Sequence, residues 1–260
     1  MIYGIIVFIF GLFIGSFLNV VIYRLHRQES FIKGFSKCLF CGHRLYPKDL
    51  VPLFSFVWLK GKCRYCQHHF SKQYFLVELC TALGFLLIYF KFLPNGLEFA
   101  SNAAIWQLWF NFSMLAFLII IFVYDFKYYL ILDSVVLPAI ILAFIFNLSL
   151  GANFLNLLLA AALASGFFLL QFVVSKGTWI GGGDIRLGFL MGAILGWTQV
   201  LTALFLAYIM GSIFSIGLLL GKKKQMSDKV PFGTFLTLAT FITMLYGPAL
   251  YNWYVSLFNY

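Results

Sequence analysis

Eight apolar stretches, most of them about 20 residues long, follow one another through this sequence of 260 residues. A helix of about 20 apolar residues is long enough to cross the hydrocarbon core of a bilayer. The stretches cover 2–23, 74–93, 104–124, 134–150, 154–175, 185–197, 199–220 and 234–257, and the sixth is the shortest. Only 10% of the residues are charged, whereas soluble domains carry roughly 25%. A soluble globular fold is therefore excluded. The expected fold class is an all-α polytopic membrane protein with about eight transmembrane helices. The first stretch has no basic start and runs into Arg24 and Arg27 without a small-residue cleavage site, so it reads as a retained span.

The formal net charge of +10 would suit a nucleic-acid binder, but its placement points to a membrane. Ten of the 18 Lys and Arg residues lie between Arg24 and Lys72, in one hydrophilic segment. Lys127, Lys176, Arg186, Lys222, Lys223, Lys224 and Lys229 fall near three further loops, and Lys91 alone falls on the opposite side. Basic residues collect on the cytoplasmic side of membrane proteins. Both termini are then expected outside, and no nucleic-acid partner is expected. Three parts follow: a first transmembrane helix (1–23), a cytoplasmic insert (24–73) and a membrane core (74–260). Lys222–Lys224 read as a stop signal for the seventh span. No internal repeat or low-complexity linker stands out.

The insert carries Cys38-x2-Cys41 and Cys63-x2-Cys66, with 21 residues between the pairs. Each pair presents two sulfurs from one tight turn, and two such turns can face each other around a tetrahedral ion. The pattern points to a structural zinc site, with disulfide or redox chemistry as the alternative. A reducing cytosol disfavours disulfides. Metal binding would supply much of the folding free energy of so polar a loop. His43, His68 and His69 read as surface residues, and Cys80 as a packing residue in a span.

Four of the eight acidic residues lie in or beside spans: Glu78, Asp125, Asp133 and Asp184. Ionisable groups there are costly and usually functional. Asp125 ends the third span, and Asp184 follows Gly181, Gly182 and Gly183. The glycines remove side chains and permit unusual backbone angles, which lets a substrate strand approach. Two adjacent carboxylates share a proton, so one can act as base toward water while the other acts as acid. The plain alternative pairs Asp125 with Lys127 and Asp184 with Arg186. A proton-coupled transporter and a zinc-bearing scaffold are the competing classes, although a transporter relay calls for carboxylates deep within spans. No Ser-His or Cys-His pairing suggests a covalent nucleophile.

Gly181-x-Gly183-Asp184 resembles the Gly-x-Gly-Asp motif of intramembrane aspartyl proteases. Gly15-Ser16-Phe17-Leu18-Asn19-Val20-Val21-Ile22-Tyr23-Arg24-Leu25 resembles the amino-terminal signature of the bacterial prepilin leader peptidases. The paired Cys-x2-Cys knuckles, the Tyr74–Glu78 stretch and Pro231-Phe232-Gly233 are similar to further motifs of that family, in the same order. Phe75 stands where the family has proline. Another family proline is missing from Ile131-Leu132-Asp133, so the 125–133 loop is expected to differ in shape, with Asp133 capping the fourth span. Arg24 reads as a topology anchor and Asn19 as an interhelical hydrogen-bond partner, while Glu78 pairs either with a basic residue of the chain or with a substrate's basic leader.

The resemblance implies cleavage of the basic leader from type IV prepilins or pseudopilins at the cytoplasmic face of the bacterial inner membrane. Asp125 and Asp184 are then the catalytic pair, Gly181–Gly183 the substrate loop, and Cys38, Cys41, Cys63 and Cys66 the zinc ligands. It also implies N-methylation of the new amino terminus with S-adenosylmethionine, although no nucleotide-binding fingerprint is present. A cleavage-only Gly-x-Gly-Asp membrane protease is the nearest alternative.

Overall fold

The computed structural model describes residues 2–221 and 230–257; Lys222, Lys223, Lys224, Asp228 and Lys229 lie outside the described residues. The helices are α1 (Ile2–His26), α2 (Phe54–Trp58), α3 (Lys72–Phe92), α4 (Asn102–Tyr128), α5 (Asp133–Ser149), α6 (Phe154–Val174), α7 (Gly182–Leu195), α8 (Trp197–Leu220) and α9 (Phe232–Ser256). All but the short α2 coincide with the apolar stretches of the sequence. Among the described residues there is no strand, only two isolated β-bridges. Six helices are each long and apolar enough to cross a membrane: α1, α3, α4, α6, α8 and α9. α5 is a shorter apolar helix, and α7 has only 14 residues, about 21 Å of rise. The chain is an all-helical, multi-pass membrane protein.

Two compact units divide at Ala104. In the first, 1–104, α1 and α3 pack through glycines. A Cβ on Gly11 would lie 2.6 Å from Ala82 Cα, and one on Gly15 would lie 2.7 Å from Glu78 Cα. Lipid offers apolar side chains no worse a surroundings than protein does, so close backbone approach is what holds such helices together. Gly4 faces Phe90, so contacts move back along α3 as α1 advances and the pair is antiparallel. Asn19 Nδ2 donates to Tyr74 O across this interface at 3.0 Å, the interhelical role expected of it. Cys80, expected to pack, is instead exposed on α3.

The second unit, 105–260, is organised around α7, which packs against α5, α6, α8 and α9. Leu187, Leu190, Met191 and Ala193 are fully buried. Gly188 and Gly192 turn to α6, where a Cβ on Gly192 would lie 2.3 Å from Ala161 N. A helix too short to reach both membrane surfaces must have its end groups satisfied within the protein. Asn147 Nδ2 accordingly donates to Ala193 O at 2.8 Å and to Ile194 O at 3.2 Å. Gly196, at φ +73°, then turns the chain, and the Trp197 N–H donates to Asn156 Oδ1 at 3.0 Å.

Gly192→Ala forces a methyl group against backbone that cannot move aside. It should destabilise the protein by about 1–3 kcal/mol, read as an earlier thermal transition in detergent. Gly217→Ala, whose Cβ meets nothing within 4 Å, should leave the transition in place. Coincident transitions for the two variants would contradict the close α6–α7 packing.

Candidate active site

Asp125 lies in the last turn of α4 and is 5% exposed. Its Oδ2 accepts a hydrogen bond from the Thr234 N–H at 3.0 Å. Thr234 is the third residue of α9, where backbone N–H groups have no partner within the helix. The carboxylate thus sits on the positive end of a helix other than its own. Gly233 makes this approach possible, because a Cβ there would lie 2.8 Å from Asp125 Oδ2. After Asp125 the chain leaves α4 through Tyr129, held at φ +55°, with its N–H donating to Asp125 O at 2.8 Å.

Asp184 is the third residue of α7 and is 7% exposed. Its Oδ2 accepts from the Gly181 N–H at 3.0 Å, so it caps its own helix. Its Oδ1 is buried and has no hydrogen-bond partner among the described residues. The two carboxylates are neighbours across Ile131, which meets Gly183 beside Asp184 and Gly233 beside Asp125. Ile131 closes the arrangement from the α4–α5 loop. A Cβ on Gly183 would lie 2.8 Å from Ile131 Cβ, and one on Gly233 would lie 2.9 Å from Ile131 Cδ1.

The structure therefore brings together Asp125, Asp184, Gly181, Gly183 and Gly233. The three glycines before Asp184 do not adopt the unusual backbone angles expected of them, since none has a left-handed φ. Gly183 makes room for Ile131 of the same chain, and only at Gly182 would a Cβ meet nothing within 4 Å. Asp133 does not cap its helix. The N-cap is Leu132, and Asp133 is the first helical residue, paired with Arg186. That pair occupies Arg186, so the alternative pairing with Asp184 is not found.

In the insert, the four cysteine Sγ atoms lie within 4.8 Å of one another, with Cys38 and Cys66 at 3.8 Å. Tetrahedral thiolate coordination at about 2.3 Å places sulfurs about 3.8 Å apart, so the cluster fits a thiophilic ion. The two knuckles repeat one another. Lys37-Cys38-x-Phe40-Cys41-x-His43 parallels Lys62-Cys63-x-Tyr65-Cys66-x-His68. The Cys38 N–H donates to His43 O and the Cys63 N–H to His68 O, at 2.9 and 2.8 Å. The rings then exchange partners: Phe40 lies over His68 with centroids 3.2 Å apart, and Tyr65 over His43 at 3.7 Å. This local repeat was missed by the sequence reading, although a 25-residue offset aligns Lys-Cys-x-aromatic-Cys-x-His with itself. His43 and His68, read as plain surface residues, are the stacking partners that join the knuckles.

Asp49 ties the second knuckle down, accepting from Arg64 Nε at 2.6 Å, Tyr65 Oη at 3.1 Å and the Tyr46 N–H at 3.2 Å. Burial works against its charge, but the bonds from Arg64, Tyr46 and Tyr65 outweigh it and hold the carboxyl below its ordinary range. A lowered carboxyl stabilises the fold above the unfolded value and loses that contribution only as pH falls through the folded one. The clamp is therefore intact at neutral pH. Purified protein should carry one thiophilic divalent ion per chain, and Cys63→Ser should lose it. A stable metal content after that substitution would show that the four sulfurs do not act as one site.

Residues 9–92 match the Bacterial Peptidase A24 N-terminal domain, and residues 112–216 match the Type IV leader peptidase family. The chain is 32% identical to the prepilin leader peptidase/N-methyltransferase of Aeromonas salmonicida (strain A449), over 96% of this chain and 93% of that one. It is 30% identical to the protein so named in Bacillus subtilis (strain 168), over 97% and 98% of the two chains. The protein of that name in Pseudomonas aeruginosa is also 30% identical, over 95% and 91%. No solved structure gives a significant match. Both matched regions fall on the two compact units in order, and the relatives align over nearly their whole length. The chain thus belongs to the type IV leader peptidase family.

Proposed function

We propose that this protein cleaves the basic leader from prepilins or pseudopilins by an aspartate pair, and N-methylates the amino terminus it exposes. The observation that carries the cleavage is the meeting of two buried carboxylates, each seated at a helix N-terminus in an apolar unit. Such a pair holds one proton between its members. The ionised member takes a proton from water as the water oxygen attacks the scissile carbonyl carbon. The protonated member donates to the departing amide nitrogen, and the C–N bond breaks. Asp184 Oδ1, which is buried and without a partner among the described residues, is the acceptor available to that water. The N–H groups of Gly181 and Thr234 keep the other oxygens in place, so the carboxylates need no reorganisation during the reaction.

The basic loops support a multi-pass arrangement in the bacterial inner membrane with this site on the cytoplasmic side. Zinc is the ion proposed for Cys38, Cys41, Cys63 and Cys66, where it would cross-link the two knuckles as a closed structural site. S-adenosylmethionine, when bound, supplies the methyl group for the second reaction. The division of labour proposed is a first helix over 1–23, a zinc-binding insert over 24–73 and a protease core within 74–260. A proton relay is disfavoured, because both carboxylates sit at helix ends rather than in mid-span.

Asp125→Asn and Asp184→Asn keep shape and polarity but cannot share a proton. Each should slow cleavage of a prepilin in detergent by about 10²- to 10⁴-fold, with helical content and bound metal unchanged. Wild-type cleavage by either variant would show that residue to be structural. Gly233→Ala pushes a methyl against Asp125 and should cost up to about 10²-fold, the scale of a 1 Å misplacement.

A further inference from the structure

A cavity of about 510 Å³ lies within the first unit, between α1, α3 and the insert. Its size is that of sites for cofactor-sized molecules, about 300–1,000 Å³. Its wall holds polar atoms that the fold leaves unused. Asn19 is 2% exposed, and its Oδ1 is buried without a hydrogen-bond partner among the described residues, as is Tyr23 Oη. Glu78 is 8% exposed and accepts from the Leu53 N–H at 2.8 Å. Among the described residues no cation pairs with it. A buried carboxylate without a countercharge is costly, which suits this wall to a cationic ligand.

Arg24 also lines the cavity, but it is committed elsewhere. Its Nη1 donates to Ser30 O at 2.9 Å and Lys33 O at 2.7 Å, and its Nη2 to Phe35 O at 3.3 Å. Arg24 is therefore a positioning residue that fastens the 30–35 segment as one wall. Gly34, at φ +103°, lies against its guanidinium. The exposed Lys33 on that segment gives the mouth a positive charge. The interior thus offers a carboxylate and an amide oxygen, and the mouth offers a cation.

We propose that this cavity is the methyl-donor site, with Glu78 facing the sulfonium of S-adenosylmethionine, Asn19 Oδ1 its ammonium group and Lys33 its carboxylate. The assignment rests on the methyltransferase reading above and adds to it the residues that recognise the donor. It explains why Glu78 and Asn19 are buried polar groups in spans that do not contribute to the aspartate pair.

The test exploits charge. S-adenosylhomocysteine has the same amino-acid and adenosine ends but lacks the sulfonium. Binding of both compounds to the full-length protein in detergent is measured for wild type and for Glu78→Gln, which keeps an acceptor for the Leu53 N–H. The substitution should weaken S-adenosylmethionine about tenfold or more, the scale of one lost close charge contact, and S-adenosylhomocysteine much less. Equal weakening of both would make Glu78 a support of the fold and overturn the assignment. Should the variant misfold, ultraviolet cross-linking of methyl-labelled S-adenosylmethionine to wild type, mapped by mass spectrometry, decides the matter. Label within 16–78 is expected, and label confined to residues outside that range would overturn the assignment. Methyl transfer by wild type with unchanged donor binding in Glu78→Gln would overturn this site while leaving the methyltransferase reading intact. Wild type that neither binds the donor nor methylates would remove both.

Discussion

A carboxylate in an apolar helical bundle must find polar partners or lose its charge, and the second unit is arranged around that requirement. Asp125 takes its partner from the start of α9 and Asp184 from the start of α7. The unpaired N–H groups at a helix start are the one feature that every helix offers an anion. Using two of them lets two carboxyl groups that share one proton stand together in apolar surroundings. The glycines follow from the same need. Gly233 admits the Asp125 carboxylate, and Gly183 with Gly233 admits Ile131, which fills the space beside both.

The shortness of α7 is part of this solution. A helix that starts within the bundle can present its N-terminus to a buried site, as α7 does to Asp184. The cost falls on the other end, where Asn147 satisfies the last carbonyls of α7 and Asn156 the first N–H of α8. Both units are held by bare glycine faces spaced four apart, Gly11 with Gly15 and Gly188 with Gly192. These faces bring backbones together without help from a hydrophobic effect between helices.

Much of this was legible in the sequence because the bilayer restricts the options so severely. Helix positions followed from apolar length alone, and the cysteine spacing announced a four-sulfur cluster. Asp125 and Asp184 stood out because a membrane chain has few acidic residues to weigh. What was hidden depended on contacts distant in sequence. Nothing local marks Thr234 as the partner of Asp125, 109 residues away. Asp133 looked like a cap, but the chain enters α5 one residue earlier and frees its carboxylate for Arg186. The knuckle repeat was available to a self-comparison, but its meaning lies in the exchange of rings between the knuckles.

The claim on which the account turns is that Asp125 and Asp184 act as one titrating unit. The most direct measurement is the pH dependence of kcat/KM for prepilin cleavage by the wild-type protein. A shared proton predicts a bell-shaped profile, active only while the pair holds one proton, with two apparent pKa values that belong to the pair. A profile governed by a single ionisation, level on one side across the range in which the protein stays folded, would contradict it.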